Sequence, residues 1–435
     1  MMISAHGNRE KRTIRTFDRR QVFLAGVVTA LVCLCTYYFL SPSDLIPIFP
    51  RLQPEFSPCH CDQPYPAYDL QFDPPNSTFY DDPSFGYTIN TKMENWDQKR
   101  QTWLNLHPTF KSKSQENLFI VTGSRPTPCK SPTGDHYLLR TYRNKVDYCR
   151  IHGYDIFYNN VLLDPFMPSW WSKIPVVRAA MVAHPEAEWI WWLDEDTVIT
   201  DMEYKIPFHR YKDYNFVVHG WPKEVYQKKR WLGLNAGSFL IRNCQWSLDM
   251  LDMWADMGPQ SPNVEKWAKI ILEEFKNPVC DQTALAYLIW KTQNESFGRK
   301  ILIETGYYLE GYWVGIVESL KNITERYLEI EKRAVMLRRR HAEKVSEVYG
   351  VLREPFLKDA GNEAGRWRRP FVTHFAGCQP CSGNHNPLFT IEGCNNRMNE
   401  ALNFADNQVL RNYGVFRHDL DNSAVVNPLP FDYPA

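Results

Sequence analysis

The segment EWIWWLDED (residues 188–196) decides the fold that the sequence predicts. Its apolar run ends at Leu193, and the acidic triplet Asp194-Glu195-Asp196 follows directly. A short apolar run without polar interruption is typical of a strand that is buried on both faces of a parallel sheet. Ligands bind at the carboxyl ends of such strands, so the triplet is the first candidate for a functional site.

Predicted strands and helices alternate on both sides of this segment. NLFIVTGS (117–124) and YDIFYNN (154–160) are earlier strands, with helical spacing over residues 135–152 and in WSKIPVVRAAMVAHP (171–185). NFVVHG, AGSFLI and KILIE are later strands, and EKWAKIILEEF and QTALAYLIW are later helices. The alternation predicts one large α/β domain that is built on a parallel sheet.

The composition excludes several classes of protein. Of the 435 residues 44% are hydrophobic, so the chain can bury a core and is neither disordered nor collagen-like. Its 50 Lys and Arg balance its 50 Asp and Glu, which argues against binding of nucleic acid or another polyanion. The 15 Trp, 23 Tyr and 24 Phe exceed what such a core needs, and aromatic rings also stack on the apolar faces of sugars.

The N-terminal part predicts a membrane anchor followed by a stem. Residues 22–40 carry no charge, are just long enough to cross a bilayer, and follow a basic segment. We expect a single-pass type II membrane protein with a cytoplasmic tail (1–21), a signal anchor (22–40), a Pro-rich stem (41–100) and a lumenal domain (101–435). A cleaved signal peptide is the alternative, but the apolar run is long for one and no small-residue cleavage site follows it.

Two features agree with a lumenal location. Glycosylation sequons begin at Asn76, Asn294 and Asn322, although such tripeptides also arise by chance. Most of the 11 cysteines follow the anchor, where disulfides can form. The C-terminus FDYPA has no retrieval signal of the KDEL type, which leaves the Golgi membrane or the cell surface.

The acidic triplet predicts a metal site. Alternate side chains of an extended chain share a face, so Asp194 and Asp196 can reach one point. Their oxygens suit Mn²⁺ or Mg²⁺, which would neutralise a diphosphate leaving group. A turn or helix cap that uses the acidic oxygens is the alternative. The same spacing recurs at Asp419 and Asp421, where no buried strand precedes it.

The segment HFAGCQPC allows two interpretations. His374, Cys378, Cys381 and His385 have the spacing of a zinc site. In an oxidising lumen, disulfides to Cys394 or elsewhere are favoured instead. A single histidine is usually structural, so the residues alone do not make His374 a ligand.

Three weaker signals remain. Gly123 and Ser124 follow the first strand, where backbone N–H groups can meet a nucleotide, although most such turns are only turns. Asp281 opens a predicted helix together with Gln282, and an ordinary N-cap is the simpler interpretation. Apolar spacing over residues 317–352 predicts one long amphipathic helix or a helical hairpin that packs on its own domain, with a dimer-forming coil as the alternative.

Several long segments resemble the plant glycosyltransferase family 34, the Golgi xyloglucan α-1,6-xylosyltransferases and galactomannan α-1,6-galactosyltransferases. They include VTGSRPTPCKSPTGDHYLLR, WWLDEDTVITDM, GLNAGSFLIRNCQWSLDMLDMWADMGP, DQTALAYLIW, GYYLEGYW and THFAGCQPC. The similar segments extend over about residues 80–414. The helical insertion (317–355) is more similar to the galactomannan galactosyltransferase branch.

The resemblance implies a GT-A fold, a UDP-sugar donor, Mn²⁺ as the cofactor, and transfer with retention of anomeric configuration. It implies that Asp194, Asp196 and His374 hold the metal. It also assigns donor-binding positions at Gly123, Ser124, Glu195, Gly377 and Gln379, catalytic positions at Asp281 and Gln282, and acceptor-binding positions at Asn235, Tyr312 and Trp313. Two of these depart from the family, because Glu195 replaces a serine and Gln379 replaces the lysine of the xylosyltransferases.

The function expected is transfer of galactose or xylose to the 6-position of a mannan or glucan backbone in the Golgi. The expected partners are the UDP-sugar and the polysaccharide, with oligomers of this chain or with other Golgi glycosyltransferases left open. Glu195 and the long helical segment favour an alternative, a non-catalytic scaffold or glycan-binding subunit. A lumenal zinc hydrolase using the four His and Cys residues is the third and weakest interpretation.

Overall fold

The computed structural model describes residues 79–86, 88–89, 91–111, 117–337, 346–361, 367–422 and 424–429. They belong to the second of two units into which the chain divides, Tyr68–Ala435. The predicted tail, anchor and most of the stem lie outside the described residues, as does the sequon at Asn76. Among the residues that are described, no helix has both the length and the apolar character needed to cross a membrane.

The strands form a large central sheet and three small ones. In chain order the strands are β1 Leu118–Gly123, β2 Asp155–Asn159, β3 Trp189–Leu193, β4 Thr197–Ile199, β5 Phe216–Gly220, β6 Leu234–Arg242, β7 Ile301–Glu304, β8 Gly311–Tyr312, β9 Val372–His374, β10 Cys378–Gln379, β11 Asn384–His385, β12 Val415–Phe416 and β13 Asn427–Pro428. The central sheet has six strands in the order β2-β1-β3-β6-β5-β7, and a three-stranded sheet has the order β4-β9-β8.

The predicted α/β class is confirmed, but the sheet is mixed rather than parallel. Strand β6 runs antiparallel to both of its neighbours, β3 and β5, whereas the other neighbouring pairs are parallel. The chain returns from β5 to β6 through short helical turns at Lys223–Gln227 and Trp231–Gly233. No long helix crosses a face of the sheet between these two strands, and a parallel pair needs such a crossover.

Both faces of the central sheet are buried. Phe119 and Val121 of β1 belong to one hydrophobic cluster, and Leu118 and Ile120 belong to the other. The residues of β3 alternate between the clusters in the same way, as strand geometry requires. This double burial explains why the β3 segment is apolar throughout.

The helices of eight residues or more lie around this sheet. They are α1 Trp96–Leu106, α2 Pro132–His152, α3 Lys173–Ala183, α4 Gln245–Ala255, α5 Val264–Phe275, α6 Asp281–Thr292, α7 Leu320–Arg333, α8 Ser346–Arg353 and α9 Ile391–Leu410. Helices α3, α4 and α6 contribute to the first cluster, and α2 and α9 contribute to the second. Helix α2 ends as predicted at Gly153, whose φ of 71° places it in the left-handed region that favours glycine.

The packed part of the chain begins before the predicted boundary at residue 101. That boundary falls inside helix α1, and the first residue of the helix, Trp96, is fully buried. Its indole Nε1 donates to Asn243 Oδ1 at 2.8 Å, and its backbone N donates to Gln245 Oε1 at 2.7 Å. Phe79 also packs against the first cluster. The packed domain therefore includes residues that the prediction placed in the stem.

The helical insertion is not one long helix. Helix α7 ends at Arg333 because Ala334 adopts an extended conformation, and α8 begins at Ser346. Arg353 of α8 forms buried ion pairs with Glu203 and with Glu331 of α7. The apolar face of α7 is likewise buried within the chain, so the insertion packs on its own domain as predicted.

Candidate active site

The acidic triplet forms a tight turn between β3 and β4. The backbone N–H of Asp194 donates to Gly237 O of β6 at 2.8 Å. The hydroxyl of Thr197 donates to Asp194 O at 2.7 Å, and the backbone N–H of Thr197 reaches the same oxygen at 3.2 Å. These bonds hold both ends of the turn at the carboxyl end of β3, where the sequence predicted a site.

The three-stranded sheet brings His374 to this turn. Strand β9 pairs antiparallel with β4, so that His374 lies opposite Thr197, and parallel with β8, so that it lies opposite Tyr312. The backbone N–H of Phe375 donates to Asp196 O at 3.0 Å. Segments that are far apart in the sequence therefore meet at His374.

His374 lies between two carboxylates. Its Nε2 is 3.1 Å from Asp196 Oδ1, and its Nδ1 is 3.0 Å from Glu310 Oε1. Burial opposes a charge on this imidazole, but Asp196 and Glu310 outweigh it and raise the pKa of His374 well above its ordinary value. Burial likewise disfavours the charge of Asp196, and His374 overcomes it and lowers the pKa of that carboxyl.

Asp194 and Asp281 share a buried ammonium group. Lys173 Nζ, at the start of α3, lies 3.2 Å from Asp194 Oδ1 and 2.8 Å from Asp281 Oδ2. It also donates to Ala236 O at 3.0 Å, and Trp192 Nε1 donates to Asp194 Oδ1 at 2.6 Å. Burial disfavours the charge of Lys173, but the two carboxylates outweigh it and raise the pKa of the ammonium group above its ordinary value.

Asp194, Asp196 and His374 fit a divalent cation. Each offers one ligand atom, and the three atoms lie within 4.8 Å of one another. Two carboxylates and one imidazole form a donor set that suits Mn²⁺. Gly237 leaves room for the imidazole on one side, because a Cβ atom at this position would come within 2.4 Å of His374 Cε1. The structure thus brings the three predicted ligands together, and the binding of metal remains a prediction.

The second Asp-x-Asp pair has a different environment. Asp419 and Asp421 are exposed, and the Asp419 carboxylate accepts the backbone N–H of Asp421 at 3.0 Å. They lie after α9, away from the strands of the central sheet. The distinction that the sequence drew between the two pairs therefore agrees with their places in the fold.

The predicted donor-binding residues Gly123 and Ser124 lie at the carboxyl end of β1. A Cβ atom at Gly123 would come within 2.3 Å of Asn159 O, so β1 and β2 approach too closely there for a side chain. Ser124 N donates to Asn159 O at 2.9 Å. Since β1 lies between β2 and β3, this loop emerges at the same edge of the sheet as the acidic triplet.

Glu195 is the least satisfied carboxylate of the triplet. Its Oε2 atom is buried and has no hydrogen-bond partner among the described residues. Burial, followed by the charges of Asp196 and Asp194, raises the pKa of Glu195 to about 8. Lys145 of α2 lies next to the turn and donates from Nζ to Thr197 O at 2.7 Å. Burial lowers the pKa of this lysine to about 8.

The zinc interpretation of the HFAGCQPC segment is wrong, and the disulfide interpretation is correct. Cys378 is bonded to Cys394, and Cys381 is bonded to Cys129 in the loop after β1. Neither sulfur can act as a thiolate ligand. These disulfides join the segment that carries Gly377 and Gln379 to the loop after β1 and to α9.

Gly377 lies in a turn, and Gln379 lies in the short strand β10 that follows it. Gly377 has a φ of 88°, in the region that favours glycine, and its carbonyl accepts Asn386 N at 2.8 Å. Gln379 Oε1 accepts the hydroxyl of Ser382 at 3.1 Å. Contact of either residue with a donor remains a prediction.

Asn235 and Gln282 shape the start of β6 beside Asp281. Asn235 Oδ1 accepts Gly237 N at 2.7 Å. Gln282 Oε1 accepts Ala236 N at 3.2 Å, and its Nε2 donates to Trp231 O at 3.2 Å. Both side chains therefore hold the strand segment that contacts Asp194 and His374.

Tyr312 and Trp313 differ in accessibility. Tyr312 is 43% exposed, as an acceptor-binding side chain must be. Trp313 is buried, stacks on Phe375 with ring centroids 5.8 Å apart, and donates from Nε1 to Ala376 O at 3.3 Å. Trp313 thus does not line an open surface, because its ring packs beneath the segment that follows His374.

Two of the predicted glycosylation sites are described. Asn294 is exposed in the turn after α6, and Asn322 is exposed on α7. Modification of both asparagines remains a prediction.

Lys173 and Glu310 are site residues that the sequence did not reveal. The sequence places Lys173 in a predicted helix and Glu310 in the segment GYYLEGYW, without indicating a role in the site for either residue. A signal existed for Lys173, since it is a charge at the start of a largely apolar helical stretch whose one other charge is Arg178. Glu310 offered none, because its role depends on contact with His374.

Comparisons with known proteins agree with the resemblance. Residues 114–385 match the model of the galactosyl transferase GMA12/MNN10 family. The chain is 51% identical over 433 residues to glycosyltransferase 6 of Arabidopsis thaliana, covering 98% of each chain. It is 56% identical over 371 residues to galactomannan galactosyltransferase 1 of Cyamopsis tetragonoloba, covering 84% of each. Its identity to xyloglucan 6-xylosyltransferase 2 of Arabidopsis thaliana is 42% over 351 residues, 79% of this chain and 68% of that one.

The fold and the site define an α/β protein with a cluster of potential metal ligands at the carboxyl edge of its sheet. The chain belongs to the galactosyl transferase GMA12/MNN10 family, which is a family of glycosyltransferases. The resemblance stated from the sequence, nearer to the galactomannan galactosyltransferase branch, is confirmed.

Proposed function

We propose that the chain is a retaining, UDP-sugar-dependent glycosyltransferase of GT-A type. It transfers galactose or xylose to the 6-position of a mannan or glucan backbone, forming an α-1,6 linkage in plant cell-wall polysaccharide. The observation that carries the proposal is the cluster of Asp194, Asp196 and His374 at the edge where β3 ends, within 4.8 Å of one another. Two relatives, a galactomannan galactosyltransferase and a xyloglucan xylosyltransferase, supply the substrate classes.

Asp194, Asp196 and His374 would hold Mn²⁺. When bound, this cation supplies Lewis-acid stabilisation of the negative charge on the departing diphosphate. The chain's own contribution is to fix the three ligands through the β3–β4 turn and the β9 strand. The loop containing Gly123 and Ser124 would bind the nucleotide at the same edge, with Gly377 and Gln379 on the opposite, disulfide-bonded segment.

Asp281 fits an orienting role better than that of a nucleophile. Its carboxylate is buried and is held 2.8 Å from Lys173 Nζ. A nucleophilic carboxylate would have to leave this ion pair to reach the anomeric carbon, at the cost of a buried unpaired ammonium group. Asp281 with Gln282 therefore positions the sugar and the acceptor, and the departing phosphate takes the proton of the acceptor hydroxyl.

The higher identity to the galactomannan enzyme, 56% against 42%, favours galactose as the sugar and mannan as the acceptor. The predicted anchor at residues 22–40 and the sequons at Asn76, Asn294 and Asn322 favour a type II protein of the Golgi membrane with its domain in the lumen. The two disulfides agree with an oxidising compartment.

One assay tests the proposal. The full-length chain, purified in a mild detergent, is incubated with Mn²⁺, a panel of UDP-sugars, and β-1,4-mannan or β-1,4-glucan oligosaccharides. We expect an α-1,6-linked product that is lost in Asp196→Asn and kept in Asp419→Asn, a matched change in the exposed Asp-x-Asp pair. Binding of oligosaccharide without transfer or donor hydrolysis would instead support the scaffold. The motivating observation for it is Glu195, whose buried Oε2 atom has no hydrogen-bond partner among the described residues.

A further inference from the structure

Glu310 is a buried carboxylate whose ion partner is a histidine. It is 3% exposed and lies just before β8, and its Oε1 is 3.0 Å from His374 Nδ1. Within the described part of the chain, that imidazole is the only ion partner found for it.

Other buried glutamates of this domain are held by permanent charges. Glu203 pairs with Arg353 and Arg369, and Glu331 pairs with Arg353 and Arg411. An arginine keeps its charge at any physiological pH, so such pairs are explained by structure alone. Glu310 has no arginine or lysine partner among the described residues.

The imidazole that Glu310 contacts is also one of the three proposed metal ligands. His374 Nε2 points away from Glu310, towards Asp196, and is the nitrogen that would face a cation held with Asp194. A nitrogen can bind a metal only through a free lone pair, so the remaining ring proton must be on Nδ1. A carboxylate that accepts this Nδ1–H fixes the tautomer and the orientation of the ring, and increases the electron density at Nε2.

We propose that Glu310 is a positioning residue that holds His374 in the tautomer and orientation needed for divalent-cation binding. The proposal rests on the metal site of the proposed function and adds to it a residue outside the ligand set. The rival explanation is that packing alone holds the imidazole in place. Gly237 lies so close to the ring that a Cβ atom at this position would collide with it.

The test measures Mn²⁺ binding to the full-length chain directly, without any turnover. Electron paramagnetic resonance titration gives the affinity, and pulsed measurements detect the ¹⁴N coupling of a coordinated imidazole. We expect Glu310→Ala to bind Mn²⁺ about 10- to 100-fold more weakly and to lose most of the ¹⁴N coupling. Glu310→Gln should lose less than about tenfold and keep the coupling, since its amide oxygen still accepts the Nδ1–H.

Glu304→Gln is the matched control. Glu304 is also buried, at the end of β7, but its carboxylate is held by Tyr211 at 2.7 Å and by Arg210 at 3.0 Å. This variant should keep wild-type Mn²⁺ affinity even if its melting temperature falls. Thermal unfolding of every variant separates a loss of fold from a loss of positioning.

Three outcomes would overturn the proposal. Wild-type affinity and coupling in Glu310→Ala would leave packing as the explanation. If the alanine variant does not fold, wild-type affinity and coupling in Glu310→Met, which fills similar space but cannot accept the Nδ1–H, would lead to the same conclusion. Absence of Mn²⁺ binding in the wild type would remove the metal site itself, whereas Mn²⁺ binding without sugar transfer would contradict only the proposed function.

Discussion

Lys173 and Asp281 form a buried ion pair, with Nζ 2.8 Å from Oδ2, and the same ammonium group lies 3.2 Å from Asp194. The pair joins the first residue of α3 to the first residue of α6. It places one positive charge between a proposed metal ligand and the residue proposed to orient the substrates. This arrangement gives Lys173 a measurable role in both stability and site geometry.

Removal of this charge should destabilise the domain. Lys173→Met leaves the buried carboxylate of Asp281 and the partly exposed carboxylate of Asp194 without their cation, and we expect a loss of about 3–5 kcal/mol in unfolding free energy. Urea unfolding at pH 7 measures it, with Lys291→Met as the control, because Lys291 is exposed on α6 and its loss should cost less than about 0.5 kcal/mol.

The double variant Lys173→Met/Asp281→Asn tests the cause. Neutralising one stranded carboxylate should restore at least about 1 kcal/mol relative to Lys173→Met. A double variant that is less stable than the lysine variant by the full cost of Asp281→Asn alone would contradict electrostatic coupling between the two residues.

Glu195 should make the metal-free protein less stable as the pH rises. Burial raises its pKa to about 8 from an ordinary value of 4.5, so the folded state binds this proton more tightly than the unfolded chain does. The unfolding free energy contributed by this group must therefore fall between pH 4.5 and pH 8. Glu195→Gln cannot ionise and should lack that loss.

The comparison requires EDTA, because a nearby cation would lower the pKa of this carboxyl. Urea unfolding of the wild type and Glu195→Gln across this range should give similar stability near pH 4.5. The advantage of the variant should then grow towards pH 8. A constant difference over the whole range would show that the folded carboxyl titrates normally.

A side chain at Gly237 should displace the imidazole of His374. In Gly237→Ala the new Cβ atom would lie 2.4 Å from His374 Cε1, so the imidazole must shift from its present position among the proposed ligands. We expect Mn²⁺ affinity to fall by about tenfold or more, as when a ligand is misplaced, with a stability cost of about 1–3 kcal/mol.

Gly86→Ala is the control, since nothing lies within 4 Å of a Cβ atom there. It should keep wild-type Mn²⁺ affinity in the same resonance titration. Wild-type affinity in Gly237→Ala would mean that His374 is not confined as the structure indicates.

The sequence predicted those parts of the site that one segment encodes. Strand β3 and its acidic triplet are contiguous, so apolar patterning located both. The partners of these residues are not contiguous, since Glu310 is 64 positions from His374 and Lys173 lies on a different helix from Asp281. No local pattern records such contacts.

Two features of the fold were missed for related reasons. The sequence of β6 does not indicate whether this strand runs parallel or antiparallel to its neighbours, because a strand buried on both faces has the same apolar pattern in either direction. The predicted boundary at residue 101 divides helix α1, whose largely polar sequence, WDQKRQTWLNL, carries little sign of a buried face. Only tertiary contact reveals that Trp96 fills the first hydrophobic cluster.

Truncation of Tyr312 should affect binding of the acceptor but not stability, whereas truncation of its neighbour Trp313 should reduce stability. Tyr312 is 43% exposed, so Tyr312→Ala should change unfolding free energy by less than about 0.5 kcal/mol. If the tyrosine contacts the polysaccharide, the KM for the oligosaccharide acceptor should rise while the KM for the UDP-sugar stays the same. Trp313→Ala removes a packed ring and should cost about 3–5 kcal/mol.

Steady-state kinetics with varied acceptor, together with urea unfolding, separate the two residues. The contrast follows from burial alone, because the stacking of Trp313 on Phe375 belongs to the core that supports His374. An unchanged acceptor KM in Tyr312→Ala would exclude this side chain from the acceptor surface. Wild-type stability in Trp313→Ala would contradict the packing, and would return Trp313 to consideration as an acceptor-binding residue.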